Sequence, residues 1–209
     1  MTTELLHFHD PMCSWCWAFG PTWTQLRAQL PDGVAVRRVV GGLAADSDVP
    51  MEPAMRAKLQ SVWRTIQMHV PGTRFNFDFW QSCTPRRSTY NACRAVLAAK
   101  RLVTDSEEQM ILAIQEAYYL QARNPSDLST LIEIAQGIGL DAEAFAAEVS
   151  GAAIEAQLQE ELHFAREAPI NGFPSLVLRT PSGPHAIDLD YLDAAPMLQK
   201  IQTALGAMR

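Results

Sequence analysis

The chain has 209 residues, of which 48% are hydrophobic and 19% are charged, and its formal net charge is −6. This balance provides enough apolar material for a packed core and argues against a disordered chain. An acidic chain is also poorly suited to phosphate backbones and anionic lipid. The composition therefore predicts a folded protein that has neither nucleic acid nor a membrane as its partner.

The chain enters a short apolar segment directly after residues 1–4, with no basic leader and no long apolar run. Secretory signals and membrane-spanning helices require those features. We therefore expect a cytoplasmic protein, in which four cysteines do not suggest a structural disulfide framework.

The first part of the chain is predicted to form a strand, a helix and a second strand. Residues 5–8 favour a short strand that stops at Asp10-Pro11, and residues 13–30 favour a helix. The turn residues 31–33 precede a valine-rich strand over 34–40. A crossover of this kind predicts that the two strands are parallel.

The middle of the chain changes character and is predicted to be almost wholly helical. A loop within it carries four closely spaced aromatic residues: Phe75, Phe77, Phe79 and Trp80. Both core packing beneath a long loop and a ligand-binding patch remain open for this loop.

Beyond Gly172, strands over 174–179 and 185–189 predict an antiparallel hairpin, followed by a helix over 191–205. The fold class is therefore predicted to be α/β, with the order β-α-β … β-β-α and a large all-helical insertion domain. The first unit would comprise residues 1–45 and 169–209, and the insertion residues 46–168.

The segment Cys13-Ser14-Trp15-Cys16 lies directly after the first predicted strand, where a helix begins. Free N–H groups and partial positive charge at a helix N-terminus favour a thiolate. Cys13 is therefore predicted to be the exposed attacking sulfur, and Cys16 the resolving thiol. Zinc would also fit the spacing, but Cys83 and Cys93 form no second close pair. We predict no metal site, and we expect Cys83 and Cys93 to be buried thiols.

A second motif, Gly172-Phe173-Pro174, begins the late strand. Proline at a strand start costs one ladder donor and is tolerated there. If the bond before Pro174 is cis, the backbone of Phe173 would face the cysteines and could pair with an extended substrate.

The sequence resembles the DsbA family of thioredoxin-fold proteins, and in particular its cytosolic branch of predicted protein-disulfide isomerases. Five stretches carry the resemblance: 10–21 around the cysteines, Gly41-Gly42-Leu43, 75–80 with 84–88, Ala117-Tyr118-Tyr119, and 172–176. They cover nearly the whole chain. The resemblance implies Cys13 as nucleophile, Cys16 as resolving thiol and Pro174 as a cis-proline, and we take Trp15, Gly172 and Phe173 as substrate-binding candidates.

The chain departs from the best-known periplasmic oxidants of that family. Their cysteines enclose Pro and His, whereas Ser14-Trp15 offers no cationic group, so thiolate stabilisation should be weaker. The first strand offers His7 and His9 where related proteins often have a buried acid. His9 is a candidate proton relay or, alternatively, a hydrogen-bonded histidine near the strand end.

Disulfide exchange on protein or small-molecule disulfides and thiols is the leading interpretation. It requires no tightly bound cofactor, allows glutathione as a redox partner and indicates no particular oligomeric state. One alternative is a glutathione-dependent transferase or isomerase of the kappa-class or 2-hydroxychromene-2-carboxylate isomerase type, whose members generally have serine at the position of Cys13. In that case Asp188 or Asp190 could hold a glutathione amine rather than serve as turn and cap residues. A non-enzymatic binding protein is the other alternative.

Overall fold

The structure is a computed structural model that describes residues 3–206. Its four described strands are β1 Glu4–His9, β2 Ala35–Val40, β3 Ser175–Thr180 and β4 Gly183–Ile187. They form one sheet in the order β2-β1-β3-β4. β1 is parallel to β2 and antiparallel to β3, and β3 is antiparallel to β4. The predicted parallel pair and late hairpin are confirmed.

Helices account for most of the remaining described chain. They are α1 Ser14–Ala28, α2 Pro53–His69, α3 Phe79–Ser82, α4 Tyr90–Leu102, α5 Ser106–Tyr119, α6 Leu128–Gly137, α7 Ala142–Val149, α8 Ala152–Glu167 and α9 Ala195–Gly206. None of them, over the described range, has the length and apolar character needed to cross a membrane.

The central strand β1 is buried on both faces. Successive side chains of a strand point to opposite faces. Leu5 accordingly packs with Phe19 and Trp23 of α1, whereas Leu6 packs in a separate cluster with Ala165 of α8. The sheet is therefore covered by helices on both sides, and the end of β1 delivers the chain into the start of α1.

The segment between β2 and β3 carries α2 to α8 and has its own core. α4 lies at its centre, because its side chains from Ala95 to Ala99 are all buried and it packs against α5, α7 and α8. The helical character predicted for this segment is confirmed. The division into domains at residues 46 and 168 stays a prediction.

The last helix begins later than the sequence predicts. Asp190 Oδ1 accepts hydrogen bonds from the N–H groups of Leu192 and Asp193, and Asp193 in turn accepts one from Ala195. These bonds fold residues 190–194 into turns, so α9 starts at Ala195 rather than at 191. They also favour a turn role for Asp190 over the binding of a glutathione amine.

Candidate active site

The cysteine pair stands at the N-terminus of α1. Cys13 is the N-cap residue, with an extended backbone (φ −81°, ψ 119°) and no capping hydrogen bond from its side chain. The first turn carries no acidic residue, so the partial positive charge of the helix end is not offset within it. Both cysteines are free thiols. The predicted placement at a helix start is therefore observed.

Cys13 is less exposed than the sequence predicts. Its residue is 6% exposed, as is Cys16. Part of the cover comes from Phe173, whose carbonyl oxygen accepts a hydrogen bond from Cys13 Sγ at 3.4 Å. Access to the Cys13 sulfur is therefore restricted on the side where Phe173 lies against it.

The segment 172–174 lies against the cysteine pair. The peptide bond between Phe173 and Pro174 is cis. Ser175 Oγ donates to the carbonyl oxygen of Gly172 at 2.7 Å. The Phe173 ring lies so close to Gly41 that a Cβ at position 41 would overlap it. Packing against the loop after β2 therefore places the carbonyl of Phe173 beside Cys13.

A fully buried carboxylate, Asp10, organises the loop that carries the cysteines. Asp10 Oδ1 accepts from the N–H of Met12, and Oδ2 accepts from the N–H of Leu43 and from Thr89 Oγ1, each at 2.7 Å. Burial raises the pKa of the Asp10 carboxyl, and these three hydrogen bonds, together with a weaker one from Cys93, lower it in part. Asp10 thus connects the active-site loop with the loop after β2 and the start of α4.

The other two cysteines have different surroundings. Cys93 is fully buried, and its thiol donates to Asp10 Oδ2 at 3.8 Å. Burial raises the pKa of Cys93 well above its ordinary value. Cys83 is half-buried, and its thiol donates to the carbonyl oxygen of Ala122 at 3.1 Å. Within residues 3–206, no group of three or more His, Cys, Asp or Glu side chains is arranged to hold a metal ion.

Aromatic residues of the helical segment hold the active-site helix in place. Trp63 Nε1 donates to Ser14 Oγ at 2.9 Å, and the Tyr119 hydroxyl donates to the carbonyl oxygen of Met12 at 2.7 Å. The Trp17 ring stacks on Tyr119 with the ring centroids 5.7 Å apart. Side chains of the helical segment therefore hold Met12, Ser14 and Trp17, the residues around Cys13, in position.

The aromatic loop packs around Trp63. All four aromatic rings of this loop lie within 6.2 Å of the Trp63 ring, centroid to centroid: Phe75, Phe77, Phe79 and Trp80. Phe79 and Trp80 are buried, and the other two are partly buried. Of the two interpretations left open by the sequence, the structure favours core packing.

Cys16, the second cysteine of the pair, is shielded from solvent. Burial raises the pKa of Cys16 well above its ordinary value, and the neighbouring Cys13 raises it further. Behind it on β1 lie His7 and His9. Burial, followed by the positive charge of Arg38, lowers the pKa of both imidazoles well below the ordinary value, so both are neutral.

Two of the predicted substrate-binding residues reach the surface beside the pair. Trp15 is partly exposed, and its ring lies 5.2 Å from that of Tyr191 and 6.5 Å from that of His69. Gly172 is exposed and has a φ of +150°, which favours glycine. The structure therefore places Trp15 and Gly172 at the protein surface near the cysteine pair, and the carbonyl of Phe173 against Cys13 Sγ.

Sequence reasoning missed four residues that shape the site. They are Asp10, Trp63, Thr89 and Tyr119. Asp10 offered a signal, because an acid at the end of a buried strand must find hydrogen-bond partners when it is buried. The other three lie more than 45 residues from the cysteines in sequence. Tyr119 belongs to a stretch that carries the family resemblance, but no local pattern assigns Trp63, Thr89 or Tyr119 to the site.

The fold and the paired thiols at a helix start define a thioredoxin-like protein with a helical insertion. The sequence profile described as "Thioredoxin" matches residues 6–184. The chain belongs to this thioredoxin family.

Solved structures with the same fold cover nearly the whole chain. A Nitrosomonas europaea protein, provisionally assigned as a protein disulfide isomerase, has a TM-score of 0.86, 24% identity and 99% coverage of both chains. The cytosolic disulfide reductase DsbM from Pseudomonas aeruginosa has a TM-score of 0.78 and 24% identity, covering 98% of this chain and 99% of its own. DsbM has also been solved with GSH. These similarities confirm the predicted DsbA-type fold.

The similarity to curated relatives covers less of the chain. ClpXP adapter protein SpxH from Halalkalibacterium halodurans is 25% identical over 178 residues, or 83% of this chain. SpxH from Bacillus subtilis is 24% identical over 174 residues, again 83% of this chain. The chain spans 58% and 57% of the length of these two relatives.

Proposed function

We propose that the chain is a thiol–disulfide oxidoreductase in which Cys13 attacks a disulfide and Cys16 resolves the product. One observation carries the proposal. Two free thiols share the first turn of α1, and the outer one faces the backbone carbonyl of Phe173.

The chemistry follows from these positions. The N-terminus of α1 stabilises negative charge on Cys13 Sγ, which attacks one sulfur of a substrate disulfide. A mixed disulfide forms, and the other substrate sulfur leaves as a thiolate. Cys16 Sγ then attacks Cys13 Sγ, which closes the Cys13–Cys16 disulfide and releases the second substrate thiol. The protein is oxidised by two electrons, and the substrate disulfide is reduced.

Substrate contacts are proposed for three residues around Cys13. The Phe173 backbone would pair with an extended substrate after Cys13 Sγ gives up its hydrogen bond to the Phe173 carbonyl. Gly172 is exposed next to Phe173, and a Cβ at this position would meet no other atom within 4 Å. Trp15, between the two cysteines in sequence, offers a partly exposed aromatic ring. Together these features suit an extended peptide or a small disulfide.

The proposed setting is the cytoplasm, where glutathione keeps thiols reduced. The pair would then rest as a dithiol and work as a reductase or isomerase, with glutathione as its redox partner and no tightly bound cofactor. The similarity to DsbM, described as a cytosolic disulfide reductase and also solved with GSH, supports this setting. The net charge of −6 supports partners other than nucleic acid and membranes.

Adapter binding is the second candidate function, favoured by the similarity to SpxH. An adapter recognises its client by surface contacts and needs no disulfide turnover. The glutathione-dependent transferase or isomerase is a weaker candidate, because the cysteine pair is intact and Asp190 is engaged in a turn.

The test is the reduction potential of the Cys13–Cys16 pair. The Cys83→Ser protein is equilibrated in glutathione buffers of graded ratio, and free thiols are counted, with Cys13→Ser added as control. A potential of about −230 mV or lower is expected for a reductant, and about −120 to −180 mV would indicate an isomerase or oxidant. A pair that forms no reversible disulfide would overturn the proposal and leave adapter binding as the function to test.

A further inference from the structure

Positive charge is concentrated in the first part of the helical segment. Residues 53–101 contain nine Lys or Arg residues and one acidic residue, Asp78, whereas the rest of the chain contains eight basic and 22 acidic residues. Four of the nine pair with carboxylates outside this range: Arg86, Arg94, Lys100 and Arg101. A charge asymmetry of this kind within an acidic chain indicates a partner of opposite charge for the basic part.

Two further arginines of this range lie in a groove between α2 and the aromatic loop. The groove has a volume of about 610 Å³, and α2 lines it with residues four positions apart, which share one face of the helix. The lining includes Arg56, Gln60, Arg64, Phe77, Trp80 and Gln81, and no acidic residue among the described ones. Neither Arg56 nor Arg64 forms a salt bridge with any residue that the structure describes.

The two guanidinium groups are held in place without losing their capacity to bind. Arg56 donates to the carbonyl oxygen of Trp80, and the Arg64 guanidinium lies over the Phe77 ring, 5.2 Å from its centroid. A guanidinium has five N–H donors, so both retain donors for a ligand. Because Arg56 and Arg64 are eight positions apart in one helix, their Cα atoms are separated by about 12 Å. Two carboxylates at a similar separation could each bind one arginine.

The other lining groups favour a ligand that has amides as well as negative charge. Gln60 and Gln81 each offer a side-chain amide, which both donates and accepts hydrogen bonds, as a peptide backbone requires. Trp80 is 3% exposed, and its Nε1 has no hydrogen-bond partner among residues 3–206, although a buried indole N–H usually has one. The groove therefore contains more donors than the protein itself uses.

We propose that this groove, the α2 groove, binds an extended acidic segment of a partner polypeptide that has two carboxylates three or four residues apart. An extended chain advances about 3.3–3.6 Å per residue, so such a spacing covers about 10–14 Å and matches the separation of Arg56 and Arg64. A nucleic acid fits less well, because a long polyanion would also meet the acidic remainder of the chain.

The α2 groove is connected with the candidate active site through Trp63. The Trp63 ring lies 5.4 Å from Phe77 and 4.8 Å from Trp80, centroid to centroid, and its Nε1 donates to Ser14 Oγ. A polypeptide in the groove would thus be anchored beside the side chain that holds the start of α1. The inference goes beyond the proposed function, because binding of an acidic segment requires no thiol.

The test is an NMR titration of the ¹⁵N-labelled, reduced full chain with two blocked hexapeptides. One has glutamate at its second and fifth positions, and the other has glutamine there. We expect the glutamate peptide to shift the side-chain N–H signals of Trp80, Gln60 and Gln81, and the glutamine peptide to leave them unchanged. Trp80→Phe assigns the indole signal. Binding should weaken as salt is added, because salt screens charges that are open to solvent.

Substitution of the arginines measures their part in binding. Arg64 is exposed, so Arg64→Gln should raise the Kd for the glutamate peptide by about threefold, and Arg56→Gln/Arg64→Gln by about tenfold. The matched control is Arg166→Gln, which changes an exposed arginine of α8 that does not line the groove and should bind as the parent does. If the double variant fails to fold, Arg64→Gln decides.

The titration involves no disulfide turnover, so its outcome is independent of the reduction potential of the cysteine pair. Unshifted groove signals, equal shifts with the glutamine peptide, or equal weakening in Arg166→Gln would overturn the inference alone. Inorganic phosphate or a single-stranded oligonucleotide that binds as tightly as the glutamate peptide would also overturn it, because the groove would then be a general anion site or a nucleic-acid site. A cysteine pair without a reversible disulfide would overturn only the proposed function.

Discussion

The thiol of Cys13 donates a hydrogen bond to the carbonyl oxygen of Phe173 at 3.4 Å, although 160 positions separate the two residues in the chain. The first follows β1, and the second precedes β3. Because β1 and β3 are neighbours in the sheet, the loop after one strand and the segment before the other meet at the same edge. The antiparallel pairing thus assembles the candidate site.

Gly41→Ala should reduce disulfide turnover by displacing Phe173. A Cβ at position 41 overlaps the Phe173 ring, so the residue that faces Cys13 must move. Misplacement near the reacting atoms by about 1 Å is expected to cost tenfold or more in turnover. The measurement is reduction of a dithiobis substrate, and the double variant Gly41→Ala/Phe173→Leu should recover much of the loss. Gly20→Ala in α1, where a Cβ meets nothing within 4 Å, is the control.

Asp10→Asn should alter the pH dependence of stability. Burial raises the pKa of the folded Asp10 carboxyl above its unfolded value of about 3.9, so the folded state holds this proton more tightly. The stabilising contribution of this proton to the free energy of unfolding is therefore fully present below about pH 3.9 and is lost as the pH rises through the folded pKa. The free energy of unfolding of the parent, relative to Asp10→Asn, should fall over that window. Urea unfolding of both proteins at several pH values measures this difference in the free energy of unfolding. A difference that does not change with pH would contradict the prediction.

Trp63 substitutions should separate packing from hydrogen bonding at the junction between α2 and α1. Trp63→Ala removes a fully buried ring and should cost about 3–5 kcal/mol in the free energy of unfolding. Trp63→Phe keeps most of the ring but loses the bond to Ser14 Oγ, and should cost less. Chemical denaturation gives both values. Equal losses in the two variants would mean that the ring packing contributes little.

The two thiols outside the pair should react with iodoacetamide at different rates. Burial, followed by the charge of Asp127, raises the pKa of the half-buried Cys83, so its alkylation should be slow at neutral pH and faster at alkaline pH. Cys93 is fully buried beside Asp10 and should stay unmodified until the chain unfolds. Peptide mass spectrometry after timed alkylation measures both rates. Native-state labelling of Cys93 as fast as Cys83 would contradict the structure.

Local sequence patterns were sufficient for the elements that carry the cysteines. The short apolar segment of β1, the turn before β2 and the start of the helix at Cys13 depend on neighbours within a few residues, and the structure confirms them. The late hairpin was also predicted from local pattern. The start of α9 was not, because hydrogen bonds to Asp190, which the helical pattern did not reveal, move it several residues along the chain.

The sequence by itself determined which residues could carry thiol chemistry, since Cys13 and Cys16 are one helical turn apart wherever that helix lies. Only the tertiary structure decided what surrounds them. Part of the cover over Cys13 comes from Phe173, and Asp10 accepts a hydrogen bond from Thr89 of a distant segment. Contacts of this kind depend on how strands pair and helices pack, and burial sets both the accessibility and the pKa of Cys16 through atoms that are remote along the chain.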